Sequence, residues 1–398
     1  MKLKVLLICN TDGALYVFRR PIIDRLIDDN YSVETISSKG QYFEKLKKLG
    51  VLAHELNFSR HSVSIVRNAA LLVGLIKKMY RIRPDIVHSF THKPAIYGSL
   101  ASKLLGVKHV FVTITGLGTL FVNDDVRSRL FRKLLLFQYR IALVFVDNVF
   151  FQNPDDLDYF VERGVVAPNK VVLTNGSGID LDDFTTPSLK LRKHARADLE
   201  LELKLELGER LVVLYPARGV AEKGFIEFYE AAKRLSAEWP EKFIFIHLGL
   251  VDQNANSQLS KSTILQYSLE CNVHYLGFKE NIREYMVASD IVSLPSYREG
   301  VPRSLIEALA LGRAIVTTDV PGCRETVIDG WNGYLCQPRN IDSLALQLNR
   351  VTPAFIKDVE VKARELCERK FDARKVVSIT LAQYQDSLAI VEGNPSEN

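Results

Sequence analysis

The feature that most restricts the fold of this 398-residue chain is a twice-repeated alternation of short apolar, β-branched runs with longer stretches of helical periodicity. Such alternation specifies parallel strands joined by crossover helices, because strands buried on both faces need helices on each side of the sheet. The first series of runs lies at 3–9, 32–37, 53–56, 86–89, 109–115, 148–152 and 171–174. A second series follows at 211–215, 243–248, 274–276, 291–294, 314–317 and 333–336, with helices expected between them, including 224–239 and 304–311. A chain of this length exceeds what one hydrophobic core usually holds, so two α/β domains with a cleft between them are expected. The boundaries predicted are 1–184 for the first domain and 185–370 for the second. Residues 371–398 form a helix returning to the first domain and a frayed tail.

Composition narrows the class. Hydrophobic residues make up 47% and charged residues 25%, the balance of a globular chain with ample core. The opening Met1-Lys-Leu-Lys-Val-Leu-Leu-Ile-Cys-Asn10 turns polar too soon for a signal peptide and reads as a first buried strand. No uncharged stretch of membrane-spanning length occurs. Five scattered cysteines without metal-ligand spacing read as reduced thiols rather than a disulfide framework or a zinc site, which fits a cytoplasmic protein.

The net charge of +5 is concentrated in residues 1–184, which hold 25 Lys and Arg against 18 Asp and Glu. Basic and apolar residues interleave at 65–83 and 126–140, in the pattern of amphipathic helices. Two readings stay open for them. They are core-packing helices with solvated charges, or they attach a peripheral protein to the anionic inner face of the cell membrane. Nucleic acid is not an expected partner, because no binding module accompanies the charge.

The most informative stretch is Ser293-Leu-Pro-Ser-Tyr-Arg-Glu-Gly-Val-Pro-Arg-Ser-Leu-Ile-Glu307, continuing to Thr318-Asp-Val-Pro-Gly322. A strand end, a Gly/Pro loop and a helix start follow one another there, the setting in which open α/β sheets bind ligands. Glu299 falls in the loop and Glu307 in the helix, so two carboxylates point toward one place at different depths. The second constellation, Tyr215-Pro-Ala-Arg-Gly-Val-Ala-Glu-Lys-Gly224, also joins a strand to a helix. Its Arg218 and Lys223 can close on a diphosphate from two sides and stabilise it as a leaving group. No Asp-x-Asp pair stands in a metal-binding loop, and two cations already serve the diphosphate, so neither metal nor cofactor is expected. In the first domain, Gly13 of Asn10-Thr-Asp-Gly13 is placed for close backbone approach to the sugar phosphate. His88 and His92 flank a strand end, where one of them could orient an acceptor hydroxyl or serve the fold alone.

In this setting the two constellations resemble the donor site of the family 4 retaining glycosyltransferases, which have the GT-B fold of two Rossmann-like domains. The resemblance implies that Glu299 contacts hydroxyls of the transferred sugar, joined by the backbone amides of Gly300, Val301 and Arg303. It implies that Glu307 holds the ribose hydroxyls and that Arg218 and Lys223 match the Arg-x4-Lys-Gly element. Leu276-Gly-Phe278 and Gly249 stand where the family holds the nucleobase, so Phe278 either reads the uracil or packs in the core. Many family members carry a histidine where this chain has Thr113-Ile-Thr-Gly-Leu-Gly-Thr119.

Further elements cover nearly the whole chain: Phe18-Arg-Arg-Pro-Ile-Ile23, Phe58-Ser-Arg60, His92-Lys93 with Gly98, Gly116-Leu-Gly118 and Lys223-Gly-Phe-Ile-Glu-Phe-Tyr-Glu230. Together they resemble the bacterial enzymes that extend undecaprenyl-diphosphate-linked sugars, the N-acetylgalactosaminyltransferases most of all. That likeness implies a UDP-sugar donor, an N-acetylhexosamine, and an undecaprenyl-diphosphate-linked saccharide acceptor touched by His88, His92, Lys93 and Gly116. It implies a front-face reaction with retention, since no side chain is an evident covalent nucleophile. Two rival readings share the architecture: a UDP-N-acetylglucosamine 2-epimerase-like isomerase, which needs no acceptor, and a non-catalytic sugar- or lipid-binding subunit.

Overall fold

The computed structural model describes residues 2–58, 64–250 and 260–393, and it divides into two compact units, 1–178 with 373–398 and 179–372. The first unit holds a seven-stranded parallel sheet of β1 (Lys4–Thr11), β2 (Ser32–Ser38), β3 (Leu52–Glu55), β4 (Ile86–Phe90), β5 (His109–Ile114), β6 (Asn148–Phe151) and β7 (Val171–Leu173). Their spatial order is β3-β2-β1-β4-β5-β6-β7. The strands lie where the apolar runs place them, since Val5 through Cys9 and Ile86 through Phe90 are buried on both faces of the sheet. Register is fixed by Val5 pairing with both Val33 and Ile86.

The second unit repeats the plan with β8 (Leu211–Pro216), β9 (Phe243–Leu248), β10 (Val273–Gly277), β11 (Ile291–Leu294), β12 (Ala314–Thr318) and β13 (Gly333–Cys336). Its order is β10-β9-β8-β11-β12-β13, again all parallel. In each sheet the strand order reverses direction once, between β1 and β4 and between β8 and β11. A crevice opens at the carboxyl ends of such a pair, because the flanking crossover helices diverge to opposite faces there.

The chain passes from the first unit to the second at 178/179 and returns at 372/373, a few residues from the expected 184/185 and 370/371. The shift has a packing cause: Ile179, Leu181 and Phe371 are buried in the second unit's core, and the Ile179 amide donates to the Phe371 carbonyl at 2.8 Å. Gly178 has φ +71°, and a Cβ there would lie 2.6 Å from Ala373 Cα, so only glycine lets the two passages lie side by side.

The C-terminal helix Ala373–Gly393 packs on the first sheet through Val377, Leu381 and Tyr384. Tyr384 and Ser387 are bonded there to His88 and His109. Among the described residues no helix is long and apolar enough to cross a membrane.

Candidate active site

Three loops meet at the carboxyl edge of the second sheet. The first leaves β8 and forms a 3-10 turn at Ala221–Lys223 before the helix Phe225–Glu238; the second leaves β11 and enters the helix Arg303–Ala310. The third leaves β12. Main-chain hydrogen bonds stitch them: Tyr297 N–H to Glu222 O at 2.9 Å, and Glu299 N–H to Pro321 O at 3.1 Å.

Glycines make that closeness possible. Gly224, at φ +75°, would place a Cβ 2.1 Å from Pro295 O, and Gly322, at φ +81°, would place one 2.2 Å from Gly300 O. Any side chain there would push the loops apart.

The result is an ion pair across the switch point, in which Lys223 Nζ donates to Glu299 Oε1. The side chains are 26% and 14% exposed, so each charge is largely desolvated and depends on the other. Arg218, on the same loop as Lys223, is exposed. Glu307 lies on the helix that follows the second loop and takes a hydrogen bond from Arg303 Nε at 2.8 Å. Burial raises the Glu307 pKa, and the Arg303 guanidinium works against that rise. Gly300 and Val301 are buried at the entry to this helix, and Arg303 is its first residue.

Two residues that sequence reasoning missed hold this edge in place. His247 of β9 is fully buried; its Nε2 donates to Ala217 O at 2.9 Å, which leaves Nδ1 to accept from the Tyr229 hydroxyl at 2.8 Å. Burial lowers its pKa to about 4, so the ring is neutral. Tyr297 donates its hydroxyl to Glu227 at 2.7 Å and carries the Arg339 guanidinium over its ring at 4.7 Å. A histidine inside an apolar strand and a glutamate in a helix carry no local signal, because both act on partners far along the chain.

Phe278, just past β10, is 51% exposed and so stands clear of the core. The turn before it is set by Gly277 at φ +71°, whose carbonyl accepts from Gly249 N–H at 2.9 Å. Gly249 in turn lies so close to Ala217 O that a Cβ would meet it at 1.7 Å.

The first unit's switch point is arranged differently. Gly13 sits in the first turn of the helix Asp12–Phe18, and its amide donates to Asp12 Oδ1 at 2.7 Å rather than facing outward. Asp12, 5% exposed, also accepts from Gly40 and Tyr42 amides at 2.8 and 2.9 Å. The Asp12 carboxylate therefore orders the loops from within.

His88 is likewise turned inward. It is fully buried, with Nδ1 bonded to the Tyr384 hydroxyl at 2.6 Å and Nε2 to the Thr113 hydroxyl at 2.7 Å, and it stacks on Phe90. Burial and the nearby Arg19 hold its pKa well below the ordinary value. With both nitrogens used and no surface, His88 cannot touch an acceptor; its work is to bind the C-terminal helix to the sheet.

His92, beyond the end of β4, is half-buried, bonded through Nδ1 to the Tyr139 hydroxyl at 2.5 Å, and lowered by burial to a pKa of about 4. Lys93 beside it donates to Asn68 Oδ1 at 3.2 Å and lines an open cavity of about 490 Å³ with Asn57, Arg67 and Asn68. Gly116, at φ +123°, shapes the loop after β5 at the same edge. The loop that Gly116 opens reaches His92, since a Cβ at Gly118 would lie 3.6 Å from His92 Nε2, while His88 is left inside. Ser59 and Arg60 lie outside the described residues.

Two Rossmann-like units with a charged switch point in the second define a doubly wound α/β protein, and comparison with known proteins gives the class. The model for "Glycosyl transferase 4-like" domains matches residues 4–153, and that for "Glycosyl transferases group 1" matches 200–353. A Campylobacter jejuni N,N'-diacetylbacillosaminyl-diphospho-undecaprenol α-1,3-N-acetylgalactosaminyltransferase is 30% identical over 85% of this chain and 86% of its own. An Escherichia coli UDP-Gal:α-D-GlcNAc-diphosphoundecaprenol α-1,3-galactosyltransferase is 25% identical over 76% of this chain and 75% of its own.

Among solved structures, a glycosyltransferase from Rickettsia africae superposes with a TM-score of 0.75 at 21% identity, covering 97% of this chain and 99% of that one. Anabaena HepE in complex with UDP gives 0.75 at 18% identity, covering 97% and 100%. The fold is GT-B, and the chain belongs to the group 1, family 4-like glycosyltransferases.

Proposed function

We propose that the protein transfers an N-acetylhexosamine, with retention, from a UDP-sugar to an undecaprenyl-diphosphate-linked saccharide in bacterial surface polysaccharide or glycoprotein glycan synthesis, working as a peripheral protein on the inner face of the cell membrane. One observation carries the donor half of this reading: the Lys223–Glu299 pair at the second unit's switch point, held by loops that only glycines allow to meet. A bound diphosphate gives Lys223 a stronger anionic partner and frees the Glu299 carboxylate to accept from sugar hydroxyls. Arg218 closes on the same diphosphate, Glu307 accepts from the ribose, the backbone of Gly300, Val301 and Arg303 meets the sugar, and the exposed ring of Phe278 offers a face to the uracil.

Two cations on the leaving diphosphate supply the charge neutralisation for which many enzymes use a divalent metal, so the reaction proceeds without one. The acceptor hydroxyl attacks on the face from which UDP departs, and its proton passes to a phosphate oxygen. A covalent route would need a nucleophile beside Glu299; Cys323 is fully buried there, and burial pushes its thiol up to about 12, where it stays protonated. The named relatives, which act on undecaprenyl-diphosphate-linked sugars, support the acceptor class. On the acceptor side, His92, Lys93 and Gly116 are the residues placed to meet the saccharide.

The test is a UDP-release screen across UDP-sugars with and without a polyprenyl-diphosphate-linked saccharide. Release with a UDP-N-acetylhexosamine only when the acceptor is present, undiminished by a chelator, is the expected result. Conversion of the donor without acceptor would establish an isomerase instead, and no turnover with any donor would leave a binding protein.

A further inference from the structure

The two basic-apolar helices of the first unit turn out to differ. The helix Ile65–Ile82 buries its apolar spine, Leu71, Leu75, Met79 and Ile82, against the sheet and exposes only Ile65 and Val66 at its start and the separated Val73 and Tyr80 among its large apolar side chains. The helix Val126–Leu143 buries Tyr139, Ala142 and Leu143 but presents a second apolar spine outward. Val126, Leu130, Leu134, Phe137, Ile141 and the capping Val144 are each between 43% and 75% exposed. At 3.6 residues per turn they fall within an arc of about 80°, one continuous stripe along the outer face. Arg127 stands on one side of the stripe and Arg129, Lys133 and Arg140 on the other, all exposed. From Val126 to Val146 there is no acidic residue.

A soluble protein rarely leaves so many large apolar side chains in line without a use for them. Pairing with a second copy of the same helix would bring the basic flanks of one against those of the other, which opposes association. An anionic bilayer suits both features at once: apolar side chains enter the acyl boundary while the flanking cations meet the headgroups.

We infer that the outer face of the helix Val126–Leu143 is a membrane-insertion surface for anionic lipid. The helix is also joined to the acceptor edge, because Tyr139 on its buried face bonds His92. This is the surface from which the proposed lipid-linked acceptor would be presented, and in that respect the inference rests on the functional reading above.

The experiment is co-sedimentation of the full chain with phosphatidylcholine vesicles and with mixed phosphatidylcholine–phosphatidylglycerol vesicles, with no acceptor present. The wild type should pellet with the anionic vesicles only, and a Leu134→Glu, Phe137→Glu double variant should partition at least about tenfold less. Its turnover of a water-soluble short-chain acceptor should be unchanged, which also shows that it folds. Phe137→Trp gives a readout independent of that variant: a blue-shifted emission on adding anionic vesicles.

Wild-type protein remaining in the supernatant, equal pelleting of the Glu variant, or an unshifted tryptophan would overturn the proposal. So would a wild-type dimer that the Glu variant dissolves, which would make the stripe a seam between copies. Vesicle binding without any sugar transfer would instead count against the transferase reading alone.

Discussion

At the carboxyl ends of β8 and β11 the ionisable side chains stand in the loops, while at those of β1 and β4 two of them, Asp12 and His88, are turned into the protein and fully paired, and His92 and Lys93 stand just beyond β4. The two edges share strand order and crossover geometry, so backbone alone does not decide where chemistry resides. What differs is the partner. Lys223 and Glu299 neutralise each other across the junction that we propose receives a diphosphate, whereas the Asp12 carboxylate is saturated by three backbone amides and His88 by two hydroxyls.

The contrast can be broken most easily at its strongest point. Lys223→Ala should lower kcat/KM about a hundred- to a thousandfold, the scale for removing a preorganised charge from a developing anion, with the circular dichroism unchanged. A loss below fivefold in the UDP-release assay would place the diphosphate elsewhere.

Buried histidines set the next effect. Burial lowers the folded-state pKa of His247 to about 4, while in the unfolded chain it titrates near 6.5. Below about pH 6.5 the unfolded state takes up a proton that the folded state refuses. Stability is therefore complete above that pH and falls toward pH 4, by about 3 kcal/mol for His247. Urea unfolding between pH 7 and 4.5 checks this, and His247→Gln should flatten the slope.

Tyr384→Phe sharpens the other side of the comparison. It leaves His88 Nδ1 buried without its hydroxyl, so stability should fall by about 1–3 kcal/mol while KM for the acceptor stays unchanged. A raised acceptor KM at constant stability would return His88 to the acceptor site. The smallest effect expected is that of Glu307→Gln, about a tenfold rise in donor KM with kcat little changed, because ribose contacts hold ground and transition states alike.

The strands of the described residues and the loops after β8 and β11 were legible in the sequence for the same reason: periodicity and Gly/Pro punctuation are local signals. Arg218, Lys223, Glu299 and Glu307 could be proposed from sequence because each lies within one strand–loop–helix segment. For His88 the choice between orienting an acceptor and serving the fold could not be made from sequence, since the Tyr384 hydroxyl that occupies it lies 296 residues away. For Gly13 the hidden partner is nearer: nothing in Asn10-Thr-Asp-Gly13 shows that Asp12 will claim its neighbour's amide. His247 and the Glu227–Tyr297 bond were invisible because a polar residue in an apolar strand or helix declares its function only through tertiary contacts. The helix Val126–Leu143 was legible as amphipathic, but which apolar stripe faces outward depends on how the helix is laid on the sheet.

Crystals soaked with UDP test the central claim most directly. The account predicts the diphosphate within hydrogen-bonding distance of Lys223 Nζ and the Arg218 guanidinium, with the Lys223–Glu299 contact loosened and the ribose on Glu307. UDP bound away from the loops that follow β8 and β11, with that ion pair intact, would contradict it.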